Sequence, residues 1–232
     1  MIIRVVTYNV HKCRGLDGRT MTARIAEVLR EMRPDIAALQ EVTARQAELL
    51  AGELSVELAM GENRKHLGTA YGNAVLSRFP IRGSRNYDLT VHGREERGCL
   101  RADVEWKRSS VLHVFNVHLG TSFLERRQQG RRLVAAELLS DLGIQSPRIV
   151  LGDFNEWTRG LTTRLLRSEL KSADIQSHLR RTRTYPGLLP LLHLDHIYYD
   201  PALKLERLTL LRTRKALVAS DHLPLAADFT AA

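Results

Sequence analysis

The run Ile149-Val150-Leu151, followed at once by Gly152-Asp153-Phe154-Asn155, limits the fold more than any other stretch of this chain. Unbroken apolar residues with β-branching fit a strand covered on both faces, and such strands lie in sheets sandwiched between other layers. The run stops at Gly152 and delivers Asp153 and Asn155 at its mouth. A carboxylate placed there demands a partner, whether a metal ion, a histidine or a phosphoryl group. Other stretches repeat the pattern. Asn9 closes the strand Ile2 to Tyr8, Glu41 closes Ile36 to Gln40, and Asn116 with His118 closes Val111 to Val117. Asp195 opens Ile197-Tyr198-Tyr199, and Asp221-His222 precede Leu223-Pro224-Leu225. We read these clusters as one site.

Around these points the chain alternates strands and helices. Ile25, Val28, Leu29 and Met32 follow the stripe of an amphipathic helix that Pro34 ends. Thr43 and Gln46 have capping-box spacing for a second helix ending near Gly52 and put Glu41 at a strand-to-helix junction. Residues 54–118 then read as consecutive strands. Within them Leu100, Ala102, Val104 and Trp106 alternate with Arg101, Asp103 and Glu105, the period of a half-buried strand. A helix is expected at 125–142, with Val134, Leu138 and Leu142 on one face, arginines 126, 127, 131 and 132 in its first half, and Gly143 as cap. The second half repeats the plan: a strand at 148–152, a helix near 161–171, and strands near 195–199, 205–212 and 224–229. The stretch from Pro186 to Pro190 reads as a loop within the domain. Two strand-rich halves with helices between them predict an α/β fold in which two sheets pack face to face with helices outside. At 232 residues the chain fits a single domain spanning 1–232.

The balance of 35 basic against 26 acidic residues, net +9, favours a polyanionic partner, either nucleic acid or an anionic membrane surface. Cys13 and Cys99 are the only cysteines, which argues against a disulfide framework or a thiolate metal site. No window reaches the length of a membrane span. A soluble, cytoplasmic monomer is therefore expected.

Asn9, Glu41, Asp153, Asn155, Asp195 and Asp221 are hard oxygen donors, the set that suits Mg²⁺ or Mn²⁺, and an ion held this loosely typically works on phosphate. His222 follows Asp221 directly, and Asp195 is a natural partner to fix its tautomer. Asp153 is then free to act as general base, with Asn155 and His118 as donors to the phosphoryl oxygens.

Thr7-Tyr8-Asn9-Val10, Leu39-Gln40-Glu41-Val42, Ala74 to Pro80, Asn116-Val117-His118, Gly152-Asp153-Phe154-Asn155, Leu194-Asp195-His196-Ile197 and Ser220 to Pro224 resemble, in order, the motifs of the endonuclease/exonuclease/phosphatase family. The resemblance runs from residue 7 to residue 224. It implies a four-layer α/β/β/α sandwich and Mg²⁺- or Mn²⁺-dependent cleavage of a phosphoester. It makes Glu41 the main metal ligand with Asn9 and Asp221 beside it, gives Asp153 and Asn155 the attacking water, and turns the Asp195–His222 pair and His118 toward the phosphate. Asn116 and Arg97 are expected at the phosphate too. His11 departs from the pattern, since several nucleases of the family carry Asp there, and this leaves one or two metals open. The substrate expected is DNA, cut as by an endonuclease, with Trp157 as a candidate to stack on bases. A phospholipid or small phosphoester is the alternative, and a non-catalytic nucleic-acid-binding protein a third.

Overall fold

Strands whose residues are apolar at every position need cover on both sides, and in this protein they have it. The computed structural model describes residues 2–107, 110–135, 139, 144, 147–156, 160–173, 183–186 and 191–232. In chain order these form β1 (Ile3–Asn9), α1 (Thr22–Met32), β2 (Ile36–Thr43), α2 (Ala44–Leu54), β3 (Glu57–His66), β4 (Thr69–Ser77), β5 (Ile81–Asp88), β6 (Gly98–Lys107) and β7 (Ser110–His118). There follow α3 (Phe123–Leu133), β8 (Arg148–Asp153), α4 (Leu161–Arg167), β9 (Lys171–Ser172), β10 (Asp195–Tyr199), β11 (Leu203–Leu210), α5 (Arg214–Ala219) and β12 (Leu225–Ala231).

Two six-stranded mixed sheets result, ordered β11-β12-β1-β2-β4-β3 and β5-β6-β7-β8-β10-β9. Each has one parallel pair, β1 with β2 and β7 with β8, and every other pairing is antiparallel. Strand parity then sorts the side chains. Ile3, Val5, Ile36, Val75, Val114, Ile149, Leu151 and Ile197 fill the space between the sheets. Val6, Tyr8 and Leu39 face outward onto Ile25 and Leu29 of α1, Leu50 of α2 and Ala216 of α5. Phe115, Val150 and Tyr198 pack under Leu133 of α3 and Leu166 of α4. Three apolar interfaces separate four layers, which is the α/β/β/α sandwich expected.

The capping box of α2 is formed, with Thr43 Oγ1 accepting from Gln46 N and Gln46 Oε1 accepting from Thr43 N. Several boundaries differ from the sequence reading. Strand β2 does not end before Glu41 but runs on to Thr43, because a register shift against β4 between Leu39 and Val42 absorbs Glu41 as a bulge. Helix α3 runs from Phe123 to Leu133 and ends at Val134, its C-cap, so Val134 does not lie on a helix face as expected; Leu138, Leu142 and Gly143 lie outside the described residues, as do Trp157 and residues 187–190 of the Pro186–Pro190 loop. Helix α4 ends at Arg167 rather than 171. Strand β11 stops at Leu210 because Thr213 accepts from Ala216 N and starts α5, a helix with too short an apolar stripe to be foreseen.

Behind the site the sheets are joined by amides rather than by methyl groups. Asn116 on β7 donates through Nδ2 to Leu39 O and Ala74 O, and its Oδ1 accepts from Gln40 Nε2 at 2.7 Å. Asn73 on β4 donates back to Gly98 O and Asn116 O. These bonds tie the two sheets together across the seam, although Gln40 Oε1 and Asn73 Oδ1 are buried there without a partner.

Candidate active site

Sheet register sets up one wall of the cleft. Gly98 pairs with His118, His118 with Asp153, and Asp153 with Asp195, so the ends of β6, β7, β8 and β10 form a single row. Directly opposed residues point to the same face, which brings His118, Asp153 and Asp195 together although they are far apart in sequence. Gly152 lets β8 reach this row: its φ is +149°, and a Cβ there would collide with the carbonyl oxygen of Val117. The other sheet supplies Asn9 from the end of β1 and Glu41 from the bulge in β2. The loop before β12 adds Asp221 and His222, pinned by Ser220 Oγ donating to Asn9 O at 2.8 Å.

Backbone strain concentrates here. His11, Lys12 and Cys13 form a left-handed turn with φ of 46°, 57° and 54°, while Glu41 and Asn155 have φ of 56° and 50°. Such residues persist only where the surroundings over-determine them. The surroundings are visible: Gln46 Nε2 holds Lys12 O at 2.6 Å, Asn9 Oδ1 accepts from His11 N, and Asn155 N and Nδ2 donate to Asp153 Oδ1 and Leu119 O.

Asp153 is the hub. Its Oδ2 accepts from Asn9 Nδ2 at 3.0 Å and lies 3.6 Å from both His118 Nε2 and His222 Nε2. Burial, aided by Asp195, outweighs His222 and the Asn9 and Asn155 donors and pushes its carboxyl up to about 6. His222 lies between two buried carboxylates, with Nδ1 3.0 Å from Asp195 Oδ2. Burial opposes its charge, but Asp195 and Asp153 prevail and raise it to about 10, so it is an imidazolium at neutral pH. His118 goes the other way: burial and the Arg97 guanidinium push it well below the usual imidazole range. Arg97 Nη1 lies 3.0 and 2.9 Å from its two ring nitrogens. Arginine can only donate, so one nitrogen of the neutral ring accepts and the other carries the proton.

Glu41 Oε1 accepts from Asn9 Nδ2 at 3.3 Å, and Oε2 lies 3.6 Å from Lys12 Nζ. Burial would raise its carboxyl, yet its polar neighbours, the Asn9 donor and the Lys12 ammonium among them, bring it down to about 2. His11 Nδ1 lies 3.4 Å from Asp221 Oδ2 and 3.9 Å from Glu41 Oε2. Both carboxylates thus approach the same imidazole nitrogen, whereas one ion with ligands at about 2.0–2.1 Å would need their oxygens within ~4 Å of each other. Among the described residues no three of His, Cys, Asp and Glu close into a metal cage. The donor chemistry of the two carboxylates suits an ion such as Mg²⁺, which keeps most of its sites for water and substrate.

The structure thus gathers Asn9, Glu41, His118, Asp153, Asn155, Asp195, Asp221 and His222, with Arg97 against His118. Asn116 stands apart from this group. Its two amide hydrogens and its oxygen are all spent on the inter-sheet seam, which leaves it no donor for a phosphate. Asn9 meets the carboxylates through Nδ2, so in this arrangement it ties Glu41 to Asp153. Sequence reasoning missed Lys12, Tyr71, which lies under Lys12 and Arg64, and Tyr185, whose ring centre is 4.8 Å from that of His222. Only a cross-strand register could have found Arg64 and Tyr71, which are paired partners on β3 and β4.

Comparison with known proteins agrees with this architecture. The chain is 33% identical to the uncharacterized protein YbhP of Escherichia coli (strain K12) over 244 residues, covering 97% of this chain and 95% of that one. Among solved structures, the mannosyl-6-phosphatase Bt3783 of Bacteroides thetaiotaomicron VPI-5482 superimposes with a TM-score of 0.81 at 17% identity, covering 98% of this chain and 99% of that one. D. rerio TDP2 complexed with single strand DNA product superimposes at 0.79 and 17% identity, with 99% of each chain covered. The sequence pattern described as the Endonuclease/Exonuclease/phosphatase family matches residues 6–222. The chain belongs to that family.

Proposed function

We propose that the protein is a divalent-metal-dependent phosphodiesterase acting on nucleic acid, with DNA as the preferred substrate. The observation that carries this reading is the convergence of Glu41, His118, Asp153, Asp195, Asp221 and His222 at one end of both sheets. Membership of a phosphoesterase family gives the reaction class, and the net charge of +9 favours a polyanion.

Glu41 and Asp221, steered by Asn9, would hold Mg²⁺ or Mn²⁺. When bound, such an ion polarises a phosphoryl oxygen and stabilises the leaving oxygen. Asp153, buried and held by the Asn9 and Asn155 donors, takes the proton from the attacking water. His222, kept cationic by Asp195, donates to a phosphoryl oxygen as negative charge builds there. His118 offers Nε2–H to the same group, and Arg97 fixes its tautomer. Asn155 anchors the loop that aims Asp153.

Phe123 and Leu124 at the start of α3, on the loop leading from His118, are 55% and 65% exposed. These apolar side chains favour a phospholipid as the second reading. Both readings meet in one experiment: plasmid, single strand, RNA, phospholipid vesicles and bis(p-nitrophenyl) phosphate, each with Mg²⁺, Mn²⁺ or EDTA. We expect metal-dependent nicking of plasmid, abolished in Asp153→Asn. Calorimetric Mn²⁺ titration should find affinity lost in Glu41→Ala and retained in His222→Ala, whose turnover falls by about 10²-fold or more. Plasmid left intact while lipid is hydrolysed would transfer the assignment to the second reading.

A further inference from the structure

Beside His118 lies a pair of guanidinium groups bridged by a single carboxylate. Arg64 Nη2 is 2.9 Å from Glu95 Oε1, and Arg97 Nη2 is 2.8 Å from Glu95 Oε2. One carboxylate thus spans two arginines, one oxygen to each, the arrangement in which guanidinium groups receive a phosphate. The carboxylate is the most exposed of the three side chains, at 44% against 30% for Arg64. The Arg97 side chain is 8% exposed, and a register shift between Glu62 and Arg64 turns Arg64 over the Tyr71 ring, 4.8 Å from its centre. The Nε atoms of both arginines are buried without a hydrogen-bond partner, so the pair has donor capacity that Glu95 leaves unused. Glu95 itself is 44% exposed, on the loop between β5 and β6 whose tip turns at Gly93 with φ of +73°.

Resting on the phosphoesterase reading above, we propose that Arg64 and Arg97 form a subsite for a second phosphate flanking the scissile one, and that Glu95 occupies it as an internal stand-in until substrate arrives. The position follows from connectivity. Arg97 holds Glu95 with one terminal nitrogen and His118 with the other, so the subsite is one guanidinium away from the reacting group. A substrate with phosphates on neighbouring units fits both places, either as a nucleic-acid strand or as a small bisphosphorylated molecule. A lone phosphoester fills only the first and must compete with nothing for it.

The test begins without metal. In EDTA, calorimetric titration with inorganic pyrophosphate and with inorganic phosphate compares wild type, Glu95→Gln and the double variant Glu95→Gln/Arg64→Gln. Freeing the subsite is expected to tighten pyrophosphate binding about tenfold, equivalent to 1.4 kcal/mol, to change phosphate binding much less, and to lose its effect when Arg64 is also replaced. Arg64→Lys guards against loss of packing on Tyr71: it keeps the charge, and intermediate affinity is expected. Equal gains for both anions, or no gain, would overturn the proposal. With metal present, KM for the dinucleotide pTpT against TpT, and for a sugar bisphosphate against its monophosphate, identifies the source. The pair whose ratio widens in Glu95→Gln is the match, and neither widening rejects the subsite. Hydrolysis of bis(p-nitrophenyl) phosphate reports separately on the reaction. If it persists while the ratios stay fixed, the flanking-phosphate subsite fails and the phosphodiesterase reading stands.

Discussion

Asn116 shows how a polar residue at a strand end can be structural while its neighbour two positions on faces the cleft. Both Asn116 and His118 lie on β7 with side chains toward the same face, yet Asn116 sits one pair deeper and meets the opposite sheet instead of the cleft. Asn116→Ala leaves Leu39 O and Ala74 O without donors in a buried seam. Each unsatisfied group costs about 1–3 kcal/mol, so a loss on the order of 3 kcal/mol is expected in urea unfolding at unchanged m-value. A loss below ~1 kcal/mol would mean that water or Gln40 replaces the amide. The sequence could rank these residues only by type. The strand-end positions of Asn9, Glu41, Asp153, Asp195 and His222 were legible because carboxylates and amides are conspicuous after apolar runs. Arg64, Tyr71 and Glu95 were not, since an arginine or glutamate in a polar stretch carries no signal until register places it.

Among the elements, β6 and β7 carry a charge cluster well away from the cleft. Arg101 donates to both oxygens of Asp103 from Nε and Nη2, and His113 Nδ1 lies 2.6 Å from Asp103 Oδ1 on the paired strand. Burial would raise the Asp103 carboxyl, but His113 and Arg101 outweigh it and hold it below the usual carboxylate range. A carboxyl lowered on folding stabilises the protein above its ordinary pKa of about 3.9, and that contribution is lost as pH falls through the lower folded value. The gap in urea midpoint between wild type and Asp103→Asn should therefore be widest near neutral pH and close as the solution is acidified below roughly pH 4. A gap that stays constant across that range would remove Asp103 from the account. Elements were read from sequence where a period was long enough, as in α1, β6 and the capped α2. Bulges escape such reading, because one extra residue in β2 leaves the apolar pattern on either side intact, and α5 escaped because six residues give less than two turns of stripe.

Over the whole molecule, the excess of positive charge divides into surface and scaffold. Of the four arginines of α3, Arg126 is buried with Nη1 on the Gly120 and Thr121 carbonyls, and Arg132 donates to Thr90 O. Arg127 and Arg131 are exposed and four residues apart, hence on one face of the helix. If that face meets a nucleic-acid backbone, the log–log slope of affinity against salt should fall by about one for Arg127→Ala and again for Arg131→Ala. Arg126→Ala should leave the slope and lower the unfolding midpoint instead. Fluorescence anisotropy across a salt series reads the first effect, and a slope untouched by either surface substitution would put the duplex elsewhere. Larger consequences follow from the amide seam joining the sheets. The left half of the cleft is carried by one sheet and the right half by the other, so their alignment works like the two jaws of a vernier. Apolar layers tolerate a small slide because any methyl group will accept a new neighbour, whereas Asn116, Asn73 and Gln40 hold only one setting. Shear between the sheets is thus the motion to which catalysis has the least tolerance, and a molecule can fall out of calibration while still wholly folded.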